Sequence, residues 1–193
     1  MRAFIKAVTR KLGIEIKRYP PLNSTQAKLV AALDLADINL VFDIGANEGQ
    51  YARGLRKFGY TGRIVSFEPQ SSAWKKLSTL ASVDPNWEVH DQFAIGDQEG
   101  EIEIHIAGNS VSSSVLPMLD SHSSAAVGSA YVGSERVPIA RLDSISGRYL
   151  TPGSTLFIKI DTQGFEWQVL DGARETLQQA RGVLCELSLV PLY

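Results

Sequence analysis

The chain has 193 residues, 44% hydrophobic and 21% charged, with a formal net charge of −2. That composition fits one domain around one core and argues against collagen-like, disordered and membrane-embedded classes; the near-neutral charge predicts no general attraction to nucleic acid. The lone cysteine, Cys185, rules out an intrachain disulfide and a cysteine-built zinc site, and suits a reducing, cytoplasmic setting.

The N-terminal stretch MRAFIKAVTRKLGIEIKR is basic, and Phe4, Ile5, Val8 and Leu12 fall near one helical face. It reads as a short helix packing on its own domain or on a partner. It is too poor in apolar residues for a secretory signal, a membrane-surface anchor or a bilayer span. Residues 1–36 are taken as an N-terminal helical extension and 37–193 as the main domain. YPPLNS breaks the extension, and Ser24 is placed to cap a helix over 25–36 with Ala27, Val30, Ala31 and Leu35 inward. INLVFDIG reads as a buried strand, and Tyr51, Leu55 and Phe58 mark one face of the helix that follows, with Gly59 as its stop. RIVSFE (63–68), SSAWKKLSTLA (71–81) and WEVHDQFAI (87–95) continue the alternation as strand, helix and strand. This rhythm predicts a parallel sheet with right-handed crossovers.

EGEIEIHIA then alternates strictly, with Ile102, Ile104 and Ile106 opposite Glu101, Glu103 and His105, the pattern of a half-exposed antiparallel strand. Residues 108–134 are rich in Ser, Gly and Ala and read as a long loop of the kind that forms lids or binding loops. RVPIARLDSI resumes extended structure, STLFIKID (154–161) is another buried strand, and Phe165, Val169, Ala173 and Leu177 mark the helix after it. GVLCELSLV is the last strand, which makes five parallel strands plus an inserted hairpin.

Ligands of open parallel sheets sit beyond the carboxyl ends of the strands, where strand order reverses. The turn Asp43-Ile-Gly45-Ala46-Asn47-Glu48-Gly49 is expected there. Counted from Gly45, the third and sixth positions are Asn47 and Gln50, so both later glycines of a pyrophosphate fingerprint are missing. Glu48 also stands where a phosphate would want an unopposed helix N-terminus. A cationic, phosphate-free nucleoside fits better: Asp43 favours positive charge, and Glu68, 23 residues after Gly45, can accept from both hydroxyls of a ribose. An oxidoreductase using NAD(P) on a similar sheet remains the first alternative, and a non-catalytic scaffold the second.

VFDIGANEGQYA, IVSFEP, AIGDQEGEIEIHI, VPIARLDSI and LFIKIDTQGFEWQVLDGARETL stand in an order that resembles the FkbM family of methyltransferases over roughly residues 38–190. The resemblance implies a Rossmann-like class I methyltransferase fold, an open α/β sheet with helices on both faces. It implies S-adenosyl-L-methionine as cofactor, with Asp43, Gly45, Ala46, Asn47 and Gly49 at its methionyl part, Glu68 at the ribose and Gln92, Phe93 and Ala94 near the adenine. The acceptor it implies is a small molecule or glycan, a hydroxyl on a sugar or secondary metabolite. A hydroxyl nucleophile needs a base, for which Asp161 and Glu186 are the candidates; Lys159 is expected to point to the helix side or outward. His90, His105 and His122 are scattered, so no histidine metal site is expected; His122 and the serines of 110–114 belong to the long loop. Where the family reads D-V-E-G or near it, this chain has DTQG, with Gln163 at the acid. The family continues past LSLVPLY with a helix and an antiparallel strand pair, so a C-terminally incomplete sheet is expected. A homodimer through an exposed sheet edge or the N-terminal helix is then a further expectation.

Overall fold

The computed structural model describes residues 24–108, 113–117 and 129–187. The N-terminal helix expected within residues 1–18, His122, Ser110 and Ser112 of the serine cluster, and residues 188–193 lie outside them. Helix α1 (Thr25–Leu35) starts at Ser24, whose Oγ accepts from the Ala27 N–H at 3.3 Å. Its buried stripe is Val30 and Leu33; Ala31 and Leu35 face solvent, contrary to the expected face. The reason is a close crossing. A Cβ added at Gly54 of helix α2 (Gln50–Lys57) would stand 2.7 Å from the Gln26 amide, so Gln26, Val30 and Leu33 form the contact row.

Strands β1 (Leu40–Ile44), β2 (Arg63–Phe67) and β3 (Trp87–Val89) alternate with α2 and helix α3 (Ser71–Ala81). β3 ends at Val89, and β4 (Ala94–Gly96) belongs to a different sheet, so the single strand expected over 87–95 is two. β5 (Gly100–Ala107) and β6 (Tyr131–Arg141) form the antiparallel hairpin, and β4 pairs parallel to β6. The extended stretch from Arg136 stops at Arg141, because Leu142–Ile145 is a short helix, α4. β7 (Leu156–Ile160) is followed by α5 (Glu166–Asp171), α6 (Arg174–Gln179) and β8 (Ala180–Cys185). Two short helices replace the single one expected. Gly172 breaks it because a Cβ there would stand 1.8 Å from the Gly96 carbonyl oxygen: the chain turns where it touches the second sheet.

The main sheet has strand order β3-β2-β1-β7-β8, all parallel. Order reverses between β1 and β7, so the crevice opens above their carboxyl ends, as expected from the sequence. Side chains alternate across the sheet. Leu40, Phe42 and Ile44 face one core with Val65, Phe67, Ile158 and Ile160, closed by α4, α5 and the small sheet through Leu142, Val169 and Ile139. Val41 and Ile64 face the other core, closed by Val30 and Leu33 of α1, Leu55 of α2 and Leu77 of α3. Helices and the hairpin sheet thus cover both faces of the main sheet.

Candidate active site

The same alternation builds the floor of the site. Asp43 is in register with Ser66 on one side and with Lys159 on the other, so three polar residues form a row across β2, β1 and β7 on the helix-α1 to α3 face. Lys159 Nζ lies 3.0 Å from Asp43 Oδ1 and 3.6 Å from Asp161 Oδ2, and it donates to the Gly45 carbonyl at 3.0 Å. Burial works against this ammonium, but the charges of Asp43 and Asp161 outweigh it and hold its pKa above the ordinary lysine value. Lys159 therefore points to the helix side, one of the two orientations expected, but as a buried residue that also lines the site. Parity alone could have found it, because Ile158 and Ile160 take the opposite face.

Above this row opens a cavity of about 880 Å³. Gly45, Ala46, Asn47, Glu68, Phe93, Ala94, Asp161 and Glu186 line it, whereas Asp43, Gly49 and Gln92 do not. Asp43 is fully buried one layer below, so it acts through Lys159. Gly49 has a left-handed backbone (φ 83°) at the start of α2, and a Cβ there would stand 2.7 Å from the Trp87 ring; its role is packing. The Gln92 amide is turned away to donate to the Pro69 carbonyl (2.8 Å) and to Glu135 Oε1 (2.9 Å). Gly45 is the position where the turn meets β7. Its φ is +72° and a Cβ would stand 1.8 Å from the Asp161 carbonyl oxygen, so only glycine fits.

Glu68 follows β2 and is 6% exposed. Its Oε2 accepts from the Asn47 N–H at 2.7 Å and its Oε1 from the Gln70 N–H at 2.8 Å. Burial is the larger effect and raises its pKa to about 7, against the pull of these two N–H groups and of Lys159. Each oxygen keeps a free lone pair for a hydroxyl donor. Beside it Phe67, Pro69, Phe93, Ala94 and Ile95 make an apolar slot. Among the described residues, two buried polar atoms of wall residues, Asn47 Oδ1 and Tyr51 Oη, have no hydrogen-bond partner.

The other end is acidic. Asp161 Oδ1 accepts from Gln163 Nε2 at 2.6 Å. The Glu186 N–H donates to the Ile160 carbonyl at 3.0 Å, which sets its side chain beside Asp161. Asp161's charge first, and burial second, raise the Glu186 carboxyl above its ordinary value. Glu186 therefore keeps its proton to a higher pH than an isolated glutamate. Gln163, the departure from the usual acid, has a left-handed backbone (φ 53°). Its loop is fixed by Glu166, whose carboxylate accepts from the N–H groups of Thr162 (2.8 Å) and Gly164 (2.9 Å). Ser114 donates to the Gln163 carbonyl at 2.6 Å, and its backbone pairs with His105 of β5. This joins the hairpin sheet to the acidic end. Glu166 was readable as an acid in the first turn of a helix; Ser114, 49 residues from its partner, carried no local signal.

Among the described residues, no group of His, Cys, Asp and Glu could hold a metal ion, and no helix is long and apolar enough to cross a membrane. No curated protein and no solved structure matches the chain. The model of the methyltransferase FkbM domain matches residues 43–193, most of the chain. The chain belongs to that family and is a methyltransferase.

Proposed function

We propose that this methyltransferase takes its methyl group from S-adenosyl-L-methionine and delivers it to a hydroxyl of a sugar or secondary metabolite. The observation that carries the reading is Glu68: a buried carboxylate at a strand end, aimed by two backbone N–H groups, with lone pairs left for a ribose diol. The apolar slot at Phe93, Ala94 and Ile95 suits a flat purine, and Gly45, Ala46 and Asn47 suit the close approach of the amino-acid tail. When bound, the cofactor supplies an electrophilic methyl on a sulfonium whose leaving group is a neutral thioether. The leaving group thus asks the protein for no acid.

The protein's part is alignment and the acceptor's proton. Holding two reactants in line is worth several kcal/mol of barrier, ~7 or more in favourable cases. Asp161 takes the proton of the acceptor hydroxyl. Lys159 with Gln163 keeps the Asp161 carboxylate in place, and Glu186 stands beside it. The Ser114 to Gln163 bond walls this end from water. A cytoplasmic location completes the proposal, supported by the single unpaired thiol.

Thermal shift with S-adenosylhomocysteine and with NADH, followed by transfer of labelled methyl groups to a metabolite extract, tests the reading. Stabilisation by the first compound alone and label in a hydroxyl-bearing product are expected. Asp161→Asn should retain S-adenosylhomocysteine binding and lose most transfer. Stabilisation by NADH alone would overturn the reading.

A further inference from the structure

Strand β6 carries an acid on its inward face. By alternation Glu135 shares that face with Val137 and Ile139, which are buried in the core between the two sheets, and Glu135 ends the stripe half-buried. A carboxylate on such a face needs partners. Its Oε2 accepts from the Ser71 N–H at 3.1 Å, and its Oε1 accepts from Gln92 Nε2 at 2.9 Å. Ser71 opens α3, whose start has no side-chain cap of its own, so the carboxylate also meets the positive end of that helix. Gln92 Nε2 also donates to the Pro69 carbonyl at 2.8 Å, which uses both hydrogens of the amide.

These bonds hold the cavity walls from behind. Pro69 and Gln70 line the cavity on the turn after β2, and Phe93 and Ala94 line it where the chain enters β4; Glu135, Ser71 and Gln92 do not line it. Gln70 also supplies one of the two N–H groups that aim Glu68. We infer that Glu135 is a positioning residue of this methyltransferase: from the hairpin sheet it locks the Glu68–Gln70 turn to the segment at Phe93, and so sets the aim of Glu68 and the spacing of the two walls. The inference rests on the cofactor reading above and extends it to a residue outside the cavity. The hairpin sheet then holds the crevice at two places, through Glu135 at the Glu68 end and through Ser114 at the Asp161 end. The charged groups that bear on Glu68 itself are Lys159 of β7 and Asp43 of β1, and changes at Glu135 or Gln92 leave both in place.

The test is calorimetry of S-adenosylhomocysteine binding, in buffers of different ionisation enthalpy, to the full chain and to Glu135→Gln, Gln92→Ala and Val137→Ala. Glu135→Gln sets an amide nitrogen against one of the two donors. Gln92→Ala removes the bridge to Pro69 and to Glu135 and changes no charge. Each should weaken binding about tenfold at pH 8, where Glu68 is largely ionised in every variant. At pH 7 each should release clearly less than the roughly half proton expected of the unmodified chain, because a loosened turn admits water to Glu68 and lets its carboxyl fall toward the ordinary value. Val137→Ala opens a cavity in the same strand and leaves the bonds of Glu135 intact; it should lower the melting temperature, keep Kd within about twofold and keep the proton count. Equal effects of all three variants would reduce Glu135 to a hairpin support. An effect of Glu135→Gln that Gln92→Ala lacks would make the charge, not the position, responsible. Unchanged binding in both would show that neither matters, and each of these results would overturn the inference. Binding by the unmodified chain without proton release would remove Glu68 from the diol and this inference with it. Failure of the unmodified chain to bind at all would overturn the cofactor reading itself.

Discussion

On the proposed reading, Glu68 makes cofactor binding a proton-release reaction. Its carboxyl is raised to about 7, chiefly by burial, while the ribose hydroxyls require its ionised form. Below the folded-state value, binding must first remove a proton. For one such group the apparent Kd scales as one plus the ratio of protonated to ionised forms, so it rises about tenfold between pH 8 and pH 6 and about tenfold again by pH 5. At pH 7 about half a proton should leave on binding. The assay is titration of the chain with S-adenosylhomocysteine in buffers of different ionisation enthalpy, which counts the proton directly. S-adenosylhomocysteine is the right probe because it carries no sulfonium to couple to Glu186. Glu68→Gln should bind weakly at every pH with no proton released, since its one carbonyl oxygen cannot serve both backbone donors and the diol. The stability sign is opposite. The folded-state pKa lies above the unfolded value, so the protonated acid stabilises the empty protein fully below about 4.5, and this contribution is lost as pH rises through about 7. The loss is about 3 kcal/mol for a shift of this size. The melting temperature of the ligand-free chain, relative to Glu68→Gln, should fall over that window. A Kd that is flat between pH 6 and 8 with no proton released would refute the assignment of Glu68 to the diol.

Gly45→Ala should cost about 3 kcal/mol or more in urea unfolding, from left-handed strain plus contact with the Asp161 carbonyl. Gly59→Ala, with φ +99° but open space around it, should cost only about 1 kcal/mol, and equal costs would remove the close-approach argument. Lys159→Met leaves Asp43 buried and unpaired and should cost about 3–5 kcal/mol, most of it recovered in the Asp43→Asn, Lys159→Met double variant. Additive losses in that cycle, read by urea unfolding, would mean that the pair at 3.0 Å is not coupled.

The convergence of the turn after β1 and Glu68 at one crevice was legible because it is local. A strand, a turn and a helix start lie within ten residues of Leu40, and Glu68 ends the neighbouring strand. Rules for parallel sheets carry such pieces to one crevice without any long-range guess. Where the reading failed, the local pattern was ambiguous. The stretch 87–95 looked like one strand because His90, at the break, is as buried as a strand residue; its ring packs against Phe67, Phe93 and Tyr149. The helix after β7 kept its period through Gly172, but the close contact with Gly96 that bends it lies in another sheet.

Lys159 is the instructive case, because the information was present. Once β1 and β7 are taken as parallel neighbours, alternation puts Lys159 on the face opposite Ile158 and Ile160, the face of Asp43. A lysine on a buried face beside a buried aspartate has few places to put its charge except an ion pair. That step needed only the register, which the notion of a switch point nearly supplies. The acidic end differs in kind. Asp161 could be anticipated from its strand end, but what shapes its surroundings is Ser114, held on the hairpin sheet and bonded to Gln163 from 49 residues away. No periodicity reports such a contact, because neither partner needs its neighbours to be apolar or alternating. The end of the crevice at the turn after β1 is therefore built from short-range rules, and the end at Asp161 from contacts between sheets. Acceptor identity should accordingly track the residues around Ser114 and Gln163 more closely than the turn after β1.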